Sequence, residues 1–298
     1  MEQRTKSEQK DLERRTKSAR RLYAAVLMQA LKHDGADIGV ITYKSTKKWI
    51  LENCFVPEWL KLLHWGSVTG TNVLQRARAL FVVGRPLAQP EAVTRQAEAL
   101  FGAYIPQRDY VVQRGRIPIV PDPKGYNAIR IGVREHPHPM AERLRRQITE
   151  GGIIQAEGRA RAGLRAAGEP LDIHLWTDVP VPELGPVEPV LRDELEIGPD
   201  GLMLASTGGC LRNIADASQA GAGLFTADGL KKARMHRNEG IFENTSPALL
   251  RVGYQRAAAG CKPTVAVFLR GVAEPQRWME ERLGPLAWFE MEDKNEAM

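Results

Sequence analysis

Residues 36–54 read ADIGVITYKSTKKWILENC, and their order decides the fold class. ADIGVITY is a short β-rich run. KSTKKWILENC then reads as a turn leading into a helix. Strand, turn and helix in that order predict a parallel α/β sheet.

The pattern continues on both sides. Upstream, SARRLYAAVLMQALKHDG (residues 18–35) carries apolar residues at helical spacing and ends at Gly35, while residues 1–20 form a charged lead-in. Downstream, WLKLLHWGSVTGTN predicts a second strand ending in a Gly-rich turn, and RALFVVGRP a third strand cut off by Pro86. EAVTRQAEALFGAY is helical. Residues 104–140 are rich in proline and aromatic residues and read as an insertion holding a strand pair, RDYVVQRGRIPIV with NAIRIGVREH. A helix around MAERLRRQITEGG leads into IIQAEGRARAG (residues 153–163), and DIHLWTD gives a further strand.

Four prolines between Pro180 and Pro189 are too dense for a helix or an inner strand. The expected organisation is therefore an α/β domain over residues 21–179, a linker over 180–197 and a small α+β module over 198–298. In that module ADGLKKARMHRN and SPALLRVGYQRAAAG read as helical, the latter with its neighbour as two short helices around a turn. KPTVAVFL reads as a strand, and EPQRWMEERLGPLAWFE as a helix with an aromatic tail. A winged helix is one such arrangement.

Composition sets the outer bounds. A formal charge of +6 points weakly to a polyanionic partner. Cys54, Cys210 and Cys261 are far apart and form no CxxC pair, which argues against a disulfide framework or a zinc knuckle and fits a reducing cytoplasm. There is no apolar run of about 18 residues to span a bilayer and no apolar leader core, so no membrane role is expected. His136 and His138 in REHPHPM lack carboxylate or thiolate companions at helical spacing and read as an exposed loop, so no metal site is expected. Trp49, Trp59 and Trp65 are candidates for base stacking, with packing the better reading for two of them.

The chemistry concentrates in QAEGRARAG. Gly158 permits a close approach or a tight turn, Arg159 and Arg161 offer planar forks suited to phosphate oxygens, and Gln155 adds a donor and an acceptor. Arginines beside an apolar run equally often lie in water on their stems.

QAEGRARAG resembles motif VI, QxxGRxxR, of superfamily-2 helicases. GTN (Gly70, Thr71, Asn72) followed by the strand ALFVVGRP resembles motif V of that family, and GVITYKSTKKWI resembles the strand and helix that open its second RecA-like domain. The carrying segments are most similar to the helicase halves of phage- and plasmid-type primase/helicase proteins, over about residues 20–178. The resemblance implies a RecA-like parallel sheet flanked by helices, with ATP and Mg held between two such domains. It implies that Arg159 is an arginine finger, with Arg161 a shifted second one because the pattern's last arginine falls on Ala162. Gln155 and Gly158, with Gly70 and Asn72, would lie at the nucleotide. Thr71, with Thr42, Lys44 and Ser45, would meet a nucleic-acid strand, single-stranded DNA in the first instance.

A P-loop needs GxxxxGK[ST], and the chain contains no Gly-Lys pair. Asp193 and Glu194 imitate a Walker B pair but follow prolines rather than an apolar strand. The expected function is thus the C-terminal half of a DNA helicase, binding ATP only with a P-loop and Walker B domain supplied by another polypeptide. The alternatives are a nucleic-acid-binding module without motor activity, or a degenerate remnant.

Overall fold

The computed structural model describes residues 6–68, 70, 72–121, 125–166, 168–190, 192–221, 223–237 and 240–292. In chain order the elements are α1 (Lys6–Ala30), β1 (Ile38–Thr42), α2 (Lys44–Asn53), β2 (Leu60–His64), β3 (Ala79–Val83), α3 (Pro90–Phe101), β4 (Val111–Pro118), β5 (Ala128–Glu135) and α4 (Pro139–Gly158). There follow β6 (Asp172–Trp176), α5 (Pro199–Thr207), β7 (Gly209–Leu211), α6 (Ile214–Ala220), α7 (Ala227–His236), β8 (Leu249–Arg256), β9 (Thr264–Leu269), α8 (Pro275–Leu283) and β10 (Leu286–Met291).

The chain divides into two compact units, one of Asp37–Lys44 and Lys61–Glu194, the other of Met1–Ala36, Ser45–Leu60 and Leu195–Met298. This departs from the division expected over residues 21–179 and 198–298, because α1 and nearly all of α2 group with the C-terminal unit.

The first unit is built on the sheet β2-β1-β3-β6, in which β1 pairs parallel with β3 and β3 parallel with β6. Every residue of β1 and β3 is buried, as strands covered on both faces require. Helix α4 opens on Pro139, whose missing N–H would have had no helical partner. Its stripe Ile153, Ala156 and, just beyond the helix, Ala160 packs into one core with Ile41, Leu80 and Val82. Ile153 and Ile154 therefore belong to the last turns of a long helix. Gly152 allows the close approach of Pro86, whose Cγ would lie 2.6 Å from a Cβ there.

At the carboxyl ends of β1 and β3, Gly84 adopts φ +79°, and the ring of Tyr43 lies where its Cβ would be, 2.5 Å from the nearest ring carbon. The Tyr43 hydroxyl accepts a hydrogen bond from the Arg85 N–H at 3.1 Å. Buried Arg85 reaches Asp178 just past β6 at 2.8 Å.

Helices α3 and α4 pack through Val93, Ala97 and Ala141 beside a buried polar network. Arg145 is 1% exposed and is held by Glu142 at 2.8 Å and Glu150 at 2.6 Å. Burial would lower its pKa, but the hydrogen bonds to Glu142 and Glu150 outweigh it and raise it. Burial likewise pushes Glu142 up, and the bonds from Arg145 and the His136 N–H pull it below its ordinary value. His136 is buried, not in an exposed loop. Its Nδ1 accepts from the His138 N–H at 3.1 Å, so the proton is assigned to Nε2, which donates to Thr94 Oγ1 at 3.2 Å.

Strands β4 and β5 form a separate two-stranded antiparallel ribbon. The proline-rich stretch expected as a linker is fastened to this unit. Val179 and Val181 are buried in its core, and Val187 bridges to Ile119, its N–H donating to Pro118 O at 3.1 Å.

The second unit carries the antiparallel sheet β10-β8-β9-β7, with α1 packed on α5. Asp200 accepts from Arg234 Nε at 2.8 Å, and Asp216 from the Tyr254 hydroxyl at 2.8 Å and Arg256 at 2.9 Å. Of the two segments expected as short helices, ADGLKKARMHRN forms α7, whereas SPALLRVGYQRAAAG instead contains β8. Ladder partners on both sides decide its conformation, and Gly253 makes room for the Trp288 ring of β10.

Two predictions follow from the α3–α4 network. Arg145→Ala leaves Glu150 without its cation and Glu142 with only the exposed Arg146 at 3.0 Å, and is expected to lower stability by about 3 kcal/mol, read from urea unfolding. Burial lowers the His136 pKa in the folded chain, so the unfolded chain takes up the proton first as pH falls below the ordinary value of about 6.5. Its stabilising contribution is complete above that value and is lost on acidification. The urea midpoint should fall between pH 7 and 5, and less so in His136→Asn; a midpoint rising over this interval contradicts the assignment.

Candidate functional site

Helix α4 presents two faces at its end. Beside the buried stripe of Ile153, Ala156 and Ala160, Gln155 and Arg159, four residues apart, share one flank of the helix. They line a recess of about 180 Å³ together with Trp65, Val68, Pro86 and Gly152. A nucleotide-sized pocket is typically about 300–1,000 Å³, so the recess suits one phosphate-sized group or the edge of a larger ligand. Half-buried Arg159 sits at the helix C-cap, its N–H bonded to Ala156 O, and its guanidinium has no hydrogen-bond or ion-pair partner among the described residues. Trp65 Nε1, in the same lining, is buried without a hydrogen-bond partner.

Gly158 closes α4 in helical conformation and serves no tight turn. Outside its chain neighbours and its own helix backbone, no atom of the described residues lies within 4 Å of where its Cβ would be, so no contact among them requires glycine. The turn comes three residues later, where Arg161 takes φ +53°. A left-handed arginine costs on the order of 1–2 kcal/mol. Its guanidinium donates to Asn72 Oδ1 at 3.0 Å across 89 residues of sequence.

Arg165, which sequence reading passed over, reinforces the same junction. Its guanidinium donates to Ala160 O at 2.9 Å and to Gln75 O at 3.1 Å. The only signal for it was a third arginine in the run, four residues after Arg161. The structure thus brings Gln155, Gly158, Arg159 and Arg161 to one end of α4 and ties that end to Asn72.

The other candidates fall elsewhere. Gly70 is exposed with φ +79° and open space around its Cβ position. Thr71 lies outside the described residues. Thr42, expected on a nucleic-acid strand, is 1% exposed at the end of β1 with its Oγ1 unpartnered, so it cannot meet a strand at the surface. Lys44 and Ser45 are exposed in the first turn of α2, and Ser45 belongs to the other compact unit. Trp49 packs beneath Arg20, with the guanidinium carbon 5.6 Å from its ring centroid.

The donor set fits part of a nucleotide. One unpaired guanidinium and one exposed carboxamide offer donors to phosphate oxygens, whereas the C-terminal end of α4 presents carbonyl acceptors, and among the described residues no backbone cradle for a polyphosphate accompanies them. Among the described residues no group of three His, Cys, Asp or Glu is placed to hold a metal ion, and no helix is long and apolar enough to cross a membrane.

Comparison with protein-family models, with curated proteins and with solved structures finds no match to this chain. The site is therefore read from its own geometry.

Gly158→Ala tests whether the open side of that helix end is structural. With no clash and better helix propensity, it should stabilise the protein by about 0.5–1 kcal/mol in urea unfolding. Destabilisation would show that the glycine serves packing.

Proposed function

We propose that this chain is the C-terminal half of a two-part nucleic-acid motor of the superfamily-2 helicase type. In this reading the parallel-sheet unit is RecA-like and offers Arg159 to the phosphates of a nucleotide held by a P-loop domain on another polypeptide. The observation that carries the reading is the Arg161–Asn72 hydrogen bond of 3.0 Å. It joins the GTN turn to the end of QAEGRARAG, the two segments that carry the helicase resemblance, although 89 residues separate the bonded pair. Unpartnered Arg159 beside Gln155 adds the chemistry, since a preorganised guanidinium stabilises charge that develops in phosphoryl transfer.

The chain's own residues divide the work. Arg159 meets the phosphate oxygens, Gln155 orients the group beside it, and Arg161 positions the turn at Asn72. ATP, with its Mg, would supply the phosphoryl group between the two polypeptides. Because Arg161 is already engaged by Asn72, one arginine rather than two is free, which favours as second reading a nucleic-acid-binding module without motor activity. For residues 198–298 a winged-helix reading has support only from the packing of α6 on α7.

The test is nucleotide turnover in the presence of single-stranded DNA. The isolated chain should show none. Assembled with a polypeptide bearing GxxxxGK[ST], it should show DNA-stimulated turnover that Arg159→Ala lowers by about 10³-fold or more at unchanged Tm. Turnover by the isolated chain, or an Arg159→Ala assembly at full rate, would sink the proposal; DNA binding with no turnover in any assembly would leave the second reading.

A further inference from the structure

The register of the β4–β5 ribbon sorts its side chains by charge. Val112 pairs with Arg134, Arg114 with Gly132, Arg116 with Arg130 and Pro118 with Ala128. Side chains alternate between faces along a strand, and directly opposed residues share a face. One face therefore carries Arg114, Arg116, Arg130 and Arg134, and no acidic residue occupies any of its eight positions. The other face carries Val111, Gln113, Gly115 and Ile117 against Glu135, Val133, Ile131 and Ile129, with Val133 only 4% exposed.

All four arginines are exposed, and none has a hydrogen bond or ion pair among the described residues. By contrast Glu135, on the other face, pairs with Arg146 at 3.5 Å. Arg116 directly opposite Arg130 is a like-charge pair that weakens the ribbon, and a two-stranded ribbon has little stability to spare. Charges that only blunt strand edges against aggregation need neither one sign nor one face. The arginines fall on three successive rows of this face, Val112–Arg134, Arg114–Gly132 and Arg116–Arg130; at about 3.4 Å per residue the basic strip is about 14 Å long, with arginines two apart on a strand spaced by about 7 Å. Guanidinium forks on such a strip match a row of phosphates.

We propose that the arginine face of the β4–β5 ribbon binds the phosphate backbone of nucleic acid. An anionic membrane fits less well, since Val112 is the one large apolar side chain exposed on this face, and an interfacial segment needs an apolar face of its own. The inference does not rest on the nucleotide reading of Arg159, because it concerns other residues and is read by binding alone.

The experiment titrates the full chain against a fluorescently labelled 30-nucleotide oligo-dT and a 30-base-pair duplex at several salt concentrations. Replacing Arg114, Arg116, Arg130 and Arg134 together by Gln should weaken binding at least about tenfold. It should also reduce the slope of log K against log salt by about 3, as four lost phosphate contacts require at about 0.7–0.9 per contact. The two arms distinguish single strand from duplex. The corresponding four-lysine variant should keep most of the slope, whereas a slope equal to wild type in the four-glutamine variant overturns the proposal. Should that variant unfold, hydrogen exchange of wild-type protein decides: oligonucleotide must protect residues 111–118 and 128–135, and unchanged exchange there overturns the proposal. Wild-type binding to phosphatidylserine vesicles without binding to either nucleic acid overturns it in favour of a membrane surface.

Discussion

The packing of Ile153, Ala156 and Ala160 onto Ile41, Leu80 and Val82 fixes everything that the end of α4 can do. A helix with one face committed to a sheet has its flanks assigned by geometry, and here the flank toward Trp65 holds Gln155 and Arg159. Rotating α4 by one residue would bury the glutamine and expose an isoleucine. The close approach of Pro86 to Gly152 seats the loop after β3 against the same flank, so that both residues line the recess with Trp65 and Arg159.

The parallel sheet was legible because β1 and β3 are buried on both faces and so read as unbroken apolar runs. The β4–β5 pair was legible from alternation and the intervening turn residues. What local pattern could not reveal was decided over long distances. LLRVGYQR carries leucines and an arginine at spacings a helix also tolerates, and only its ladders to β9 and β10 make it a strand. The prolines of residues 180–190 forbid helix but not attachment, and Val187 is held by a bridge to Ile119 that no local pattern announces.

The site was legible in part for the same reason. The glutamine, glycine and arginines of QAEGRARAG were visible as chemistry, and their helical spacing was enough to put Gln155 beside Arg159. The engagement of Arg161 by Asn72, the anchoring of Arg165 and the burial of Thr42 depend on which turn faces which, and no short-range rule supplies that. The arginine face of the ribbon required the register: read along the chain, its four arginines alternate with apolar residues and look like ordinary solvated positions.

Tyr43 over Gly84 has a bearing on where any ligand can go. Open parallel sheets commonly receive ligands in the crevice where neighbouring connections leave in opposite directions, and in the order β2-β1-β3-β6 that crevice opens between β1 and β3. Here the protein fills it with its own phenol ring, latched by the Arg85 N–H and backed by a glycine that no other residue can replace without collision. A ligand entering that crevice would meet the exposed edge of a phenol ring before the strand ends, and the recess of Trp65 and the last turn of α4 adjoins the same loop through Pro86.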